Sequence, residues 1–484
     1  MSASREKKTR QEQGSTVSPQ QAKARAEAAR QRRSTTIYSG VIIAALVAAV
    51  ALFVWNSNIF QRSAKALEVA GETYTAADFA YHYQSAYNAF LNQSGSYASY
   101  LFDSSKSLRE QDCPYNDGTW FDYFADIAAR NLANHTVLNQ RALADGFDDG
   151  GAVEDAVSEA VEALKGYAAN NGVSLKQYLG AVYGPLMTQE VFERNVRLTE
   201  RARLYSASLT YTDEQLEAAY NEDPNAYSSA DFEYALFLAE QPETETPAEG
   251  EETQEPDEAE TEKLLAAAKE NADAALMRAQ AGESLKTVAT ELGGNYNHVK
   301  YASSGSSDLL TWVFDDARKD GQATEIPYGE DGYYVAVYHS KSRNDYNTVS
   351  VRHILVADEA AATDLLTQWK AGEATEDSFA ALANENSTDT GSNTNGGLYT
   401  DIARGQMVTE FEDWCFDPAR QSGDTGIVST DYGYHIMYFV SRSDTPYWKE
   451  QASEALASQD IETWYNEAVG EAGPTKLDGI KYVG

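Results

Sequence analysis

The chain has 484 residues, enough for two or three domains with separate cores, and 42% of it is apolar, an ordinary globular share. Its formal net charge of −37 repels phosphates and excludes nucleic acid as a partner. Two cysteines, Cys113 and Cys415, are too few for a disulfide framework, and buried small apolar side chains account for them better than a bridge.

Residues 1–36 form a polar basic tail, for which the sequence predicts disorder. Met1 to Arg33 holds nine Lys or Arg against three Glu. The run 37–55, Ile37 to Trp55, then carries no charge for 19 residues, roughly 28 Å as a helix and close to the thickness of a hydrocarbon core. The basic flank is N-terminal. This predicts a single-pass cell-membrane anchor with a cytoplasmic N-terminus and the bulk of the chain outside, on the outer face or in a periplasm. A cleaved signal peptide is the competing reading, with Ala64-Lys65-Ala66 as a weak cleavage site. The apolar run is long for such a signal, and the tripeptide lies well beyond its end. Subtracting the tail's +6 from −37 leaves about −43 on the exported part.

Residues 66–230 read as a mostly helical, chaperone-like domain. Leu67 to Tyr74 suggests strand, turn and strand, and Thr75 caps the helix that follows. Helical spacing recurs over Trp120–Ala144, Val153–Ala168 and Thr188–Ser206, and a last helix starts at Thr212. Tyrosine is abundant here. Its rings either pack the helices together or line a groove for unfolded chains, since Tyr offers apolar area with a polar tip. His82 and His135 read as structural.

Residues 231–345 align with the stretch that follows them. Trp312 to Gly321 matches Trp414 to Gly423 at six positions in ten, with Trp, Phe, Asp, Ala, Arg and Gly shared. The alignment puts Tyr234 at the position of His353 and Tyr334 at that of His435. The insert 241–262, rich in Glu, Thr and Pro, has no large apolar side chain and is expected to be disordered. His298 and His339 fall outside any pattern and read as structural.

Residues 346–445 carry the candidate site. The run V-R-H-I-L-V, then F-A-A-L-A-N-E-N-S-T-D, G-G-L, G-Q-M-V-T-E-F-E-D-W-C-F and S-T-D-Y-G-Y-H-I resembles, in order and spacing over about ninety residues, the parvulin-type peptidyl-prolyl cis-trans isomerases (the PpiC or rotamase family). From the residues themselves, Met407 and Phe411 stand four apart, one face of a helix. With Phe416 and Leu398 they can form an apolar pocket for a proline ring. The resemblance implies that His353 and His435 hydrogen-bond across the sheet centre, that Asp389 stands beside the amide, and that Thr430 supports the histidines. An Asx turn is the structural alternative for Asp389. The segment reads G-G-L-Y where many relatives read G-G-D-L-G, and no basic cluster marks a phosphopeptide site.

Residues 446–484 read as a helix and an arm packing on the helical domain. The resulting plan is α+β: an N-terminal transmembrane helix, a helical domain, two tandem parvulin-like modules of small antiparallel sheet flanked by helices, and a returning helix. It is similar to that of exported foldases of the PrsA and SurA type. The expected function is prolyl isomerisation on X–Pro bonds of unfolded or partly folded exported proteins, with holdase activity from the helical domain. No zinc-type ligand spacing occurs, so neither metal nor cofactor is expected. The rival class is a non-enzymatic chaperone or scaffold whose modules only bind peptides or act as spacers.

Overall fold

A computed structural model of the chain describes residues 58–103, 105–239 and 258–484. The basic tail, the predicted anchor over 37–55 and most of the acidic insert lie outside the described residues. Among the described residues no helix is long and apolar enough to cross a membrane. The fold is α+β, in two compact units, 58–209 with 460–484, and 210–459.

The first unit is helical around one small sheet. Strands β1 (Lys65–Val69) and β2 (Glu72–Thr75) pair antiparallel, and β11 (Thr475–Lys476) adds to β1. Helix α1 (Ala76–Ser94) starts from a reciprocal cap between Thr75 and Asp78, which satisfies donors that a helix start leaves unpaired. Helices α2 (Trp120–Ala144), α3 (Ala152–Asn170), α4 (Leu175–Tyr183) and α5 (Gln189–Ala207) follow. Phe79, Trp120, Phe124, Leu132 and Leu179 are fully buried among them. Asp78 is buried and held by Arg194 at 2.5 Å and Asn195 at 3.1 Å. A buried carboxylate requires such partners. His82 hydrogen-bonds Asn195 at 3.1 Å, and burial, then His135, pushes it down to about 3.

The unit boundary differs from the one expected at 230. Helix α6 (Asp213–Glu222) buries Leu216 with Tyr227, Trp448 and Ala452, so residues from 210 on belong to the second unit. Of the C-terminal helix Tyr447–Val469, the part from 460 on belongs to the first unit, where Ile461 and Trp464 pack on Leu138 and Tyr205. This unit therefore takes in 460–484 and not the whole of 446–484. The arm closes it: Leu477 N–H donates to the Ala66 carbonyl at 2.8 Å, and Val483 is buried.

The second unit holds two four-stranded antiparallel sheets, ordered β4-β3-β6-β5 and β8-β7-β10-β9. The first contains β3 (Ser228–Leu238), β4 (Asn295–Ala302), β5 (Ala323–Tyr328) and β6 (Gly332–Arg343). The second contains β7 (Asn347–Val356), β8 (Leu398–Ile402), β9 (Thr425–Thr430) and β10 (Gly433–Pro446). In each, two helices separate the first strand from the second, and one helix separates the second from the third. These are α7 (Glu258–Gln280), α8 (Leu285–Leu292) and α9 (Asp308–Val313) in the first, and α10 (Glu359–Ala371), α11 (Glu376–Asn386) and α12 (Thr409–Cys415) in the second. Helix α7 begins at Glu258, so the end of the acidic insert, 258–262, is helical where disorder was expected. Both cysteines are free and buried, and burial pushes the Cys415 thiol up to about 12.

Candidate functional site

The central pair β7 and β10 positions the histidines. His353 lies opposite Met437, and Leu355 opposite His435. Facing residues of an antiparallel pair share a side, and so do residues two apart. His353 and His435 therefore project diagonally from one face, with Nδ1 to Nδ1 at 3.0 Å.

The contacts run in a row. Thr430 Oγ1 lies 2.9 Å from His435 Nε2, and His353 Nε2 lies 2.8 Å from Asp389 Oδ2. An ionised carboxylate only accepts. Hence His353 Nε2–H donates to Asp389, His435 Nδ1–H donates to His353 Nδ1, and the Thr430 hydroxyl donates to His435 Nε2. Every ring nitrogen in the row is satisfied with both imidazoles neutral. Electrostatics favours that state. Burial lowers both histidines, His435 to about 4 with His353 adding to the effect, while Asp389 pulls His353 the other way.

Besides the His353 bond, two hydroxyls converge on Asp389 Oδ2 and one backbone N–H on Oδ1. Ser392 Oγ donates at 2.5 Å and the Tyr399 hydroxyl at 3.0 Å, next to the His353 bond, while Gly391 N–H donates to Oδ1 at 3.1 Å. Burial alone raises this carboxyl, but Ser392, His353, Gly391 and Tyr399 together hold it down at about 2. The turn itself is pinned to β7: Ser387 Oγ accepts from Leu355 N–H at 3.1 Å, and Thr388 N–H donates to the Leu355 carbonyl at 2.9 Å. Gly397 is required next to it. Its φ is +69°, and a Cβ there would sit 2.1 Å from the His353 carbonyl oxygen.

Phe411 on α12 covers the histidines, its ring edge-on to His353 and His435 at 5.4 and 5.3 Å. Met407 packs on the same cluster but precedes the helix, which starts at Thr409, so the pair does not share a helical face as expected. Phe416 is buried behind them, with the Arg404 guanidinium 4.3 Å above its ring. Leu398 is a correction to the expected pocket. It lies opposite Arg352, on the other side of the sheet from His353, because side chains alternate along a strand. Its neighbour Tyr399 faces the site instead. A cleft of about 420 Å³ opens beside Met407, Thr409 and Glu412, with His298, Val299 and Tyr301 across it, and is not lined by His353 or His435.

Sequence reading missed Ser392 and Tyr399 as partners of Asp389. The only signal was the i, i+3 spacing of Asp389 and Ser392 in a turn. In the first sheet, Tyr234 faces Ala336 and Leu236 faces Tyr334, the same register as the histidines. These two tyrosines meet edge-on at 5.4 Å.

Residues 353–441 match the family model of the rotamase, or PPIC-type PPIASE, domain. The chain is similar to foldase protein PrsA 1 of Listeria innocua, 40% identical over 126 residues that cover 25% of this chain and 42% of that protein. Foldase protein PrsA of Caldanaerobacter subterraneus is 39% identical over 100 residues, covering 21% and 31%. Among solved structures, peptidylprolyl isomerase PrsA from Bacillus cereus is 30% identical over 26% of this chain and 48% of that one, with a TM-score of 0.20. The matched stretch thus spans less than half the length of these relatives.

Proposed function

We propose, from the parvulin-type rotamase domain that residues 353–441 form, that this chain is a peptidyl-prolyl cis-trans isomerase acting on X–Pro bonds of exported proteins. The carrying observation is the row Thr430–His435–His353–Asp389 beneath Phe411. Turning an X–Pro bond makes and breaks no covalent bond. Its barrier is the loss of amide resonance, roughly 18–20 kcal/mol in a peptide bond, and uncatalysed exchange takes tens to hundreds of seconds. A catalyst must favour the twisted amide over the planar one.

Planar resonance places negative charge on the carbonyl oxygen, and the twisted amide loses it. An ionised Asp389 beside that oxygen disfavours the planar form more than the twisted one. The carboxylate is more accessible than the histidine that holds it, with its side chain 19% exposed against 4% for His353. We assign His353 and His435 as positioning residues that hold Asp389 and the pocket floor. Phe411 and Met407 supply apolar surface for the ring, backed by Phe416.

The finer architecture belongs to the same reading. The two sheets share strand order, which supports tandem parvulin-like modules, the first without histidines and acting as a spacer or peptide clamp. Exposed Tyr97, Tyr100, Tyr115 and Tyr167 on the first unit support loose holding of unfolded chains. The uncharged run 37–55 with its basic N-terminal flank supports a membrane anchor with the described units outside the cytoplasm. The tyrosines at 234 and 334 also favour a second reading, in which the chain holds clients without isomerising them.

Cis-to-trans exchange of a proline tetrapeptide separates the two. The chain is expected to accelerate exchange, and the His353→Ala, His435→Ala double variant, checked for folding by circular dichroism, is expected to fall to background. A parent at background leaves only the holding function.

A further inference from the structure

The first sheet carries a side-chain cluster that prolyl isomerisation does not use. Asp231 and Glu233 stand two apart on β3 and share a face. His298 on β4 lies opposite Glu233. His339 lies on β6, at the register shift between the pairs Asp231–Ser340 and Phe232–Tyr338. The extra residue at such a shift re-aims a side chain, and here it brings His339 to the acidic pair. His298 Nε2 is 2.7 Å from Asp231 Oδ1, and His339 Nε2 is 3.3 Å from Glu233 Oε1. The two imidazoles meet edge-on at 5.7 Å. One ligating atom from each of Asp231, His298 and His339 lies within 4.8 Å of the others. All three side chains are about a third exposed, open to an ion from solvent.

We propose that Asp231, His298 and His339, with Glu233 beside them, bind a divalent transition-metal ion of the zinc type. The donor set argues for that class. Imidazole nitrogen with carboxylate oxygen suits zinc, nickel, cobalt and copper, whereas magnesium and calcium select oxygen shells. Two histidines and one carboxylate leave the fourth tetrahedral position to water or Glu233. Ligand atoms on a tetrahedral ion at about 2 Å stand roughly 3.3 Å apart, so the most distant of the present atoms close by about 1–2 Å at most while His298 and Asp231 part slightly, shifts within reach of partly exposed side chains.

Charge argues the same way. Asp231 and Glu233 are joined by Asp320, whose Oδ1 is 3.6 Å from His339 Nδ1. A single dication among them offsets these three carboxylates at one point. A carboxylate behind a ligating imidazole also fixes its orientation, a part that Asp320, on His339 Nδ1, is placed to play when Nε2 ligates. The ligands come from three adjacent strands, so the ion would staple β4, β3 and β6 at one point. Their wide separation in sequence explains why no metal spacing announces the site.

The test uses the full chain, stripped with a chelator and titrated calorimetrically with zinc in excess magnesium, which occupies the acidic surface. One saturable equivalent is expected. His298→Ala and His339→Ala should each weaken it about tenfold or more, and the double variant should lose it. Asp231→Asn, which preserves side-chain volume, should weaken it too. Circular dichroism checks that each variant is folded, and cobalt should give tetrahedral visible absorption in the parent alone. The proposal is overturned if no saturable equivalent appears, if it persists in the folded double variant, or if it follows His353→Ala and His435→Ala instead.

Discussion

Replacing Asp389 by asparagine separates the energetics of the site from its chemistry. The carboxyl is held near 2 against an ordinary 3.8. A depression of that size corresponds to on the order of 2 kcal/mol, reduced to about 1–2 kcal/mol when solvent screening of a partly exposed group is allowed for. Asparagine cannot recover this. With its oxygen at the Oδ2 position, its amide hydrogens face the Gly391 N–H. With the amide turned over, they face Ser392, Tyr399 and the His353 Nε2–H. One orientation leaves one donor unpaired and the other leaves three.

The sign follows from linkage. The folded value lies below the unfolded one, so the stabilisation is complete well above pH 4 and is lost as pH falls through about 2. Urea unfolding should therefore place Asp389→Asn about 1–2 kcal/mol below the parent at pH 7, with the gap about half as large near pH 3. In the tetrapeptide assay kcat/KM should drop about tenfold, equivalent to about 1.4 kcal/mol at the transition state. An unchanged unfolding midpoint at pH 7 would refute the reading of the network. A destabilised variant with the parent's rate would refute the place given to the carboxylate beside the twisting amide.

Four further outcomes are expected. Tyr399→Phe removes one donor to Asp389 Oδ2; it should cost about 0.5–1.5 kcal/mol and raise the Asp389 pKa, readable by carbon-13 NMR of the carboxyl. The pH–rate profile should show no inflection at 6.5, because both histidines are lowered from that value and work neutral; an inflection near 6.5 would contradict this. Stability should fall as pH drops below 6.5, since the unfolded chain takes up these protons first. Phe411→Ala should lower kcat/KM at least about tenfold and cost about 3–5 kcal/mol of stability, whereas Leu398→Ala, on the far face, should leave kcat/KM within about twofold of the parent. Equal effects of the two on the rate would overturn the assignment of faces.

What the sequence alone determined is what short-range chemistry encodes. The strand at V-R-H-I-L-V and the tight G-G pair follow from β-branched runs and from glycine's freedom at positive φ. Thr75 and Thr212 cap helices that begin one residue later, because a cap is written within four residues. His353, Asp389 and His435 were legible through motif spacing over the segment 353–441. Only the tertiary structure decided which face each strand residue presents. A one-residue difference puts Tyr399 on Asp389 and Leu398 on the opposite side, and register depends on partners far away in the chain. The unit boundary at 209 followed from Leu216 meeting Trp448, a contact between residues more than two hundred positions apart. The same cause hid the cluster of Asp231, His298 and His339. Three strands, one register shift and no local spacing bring them together, so their chemistry exists only once the sheet has formed.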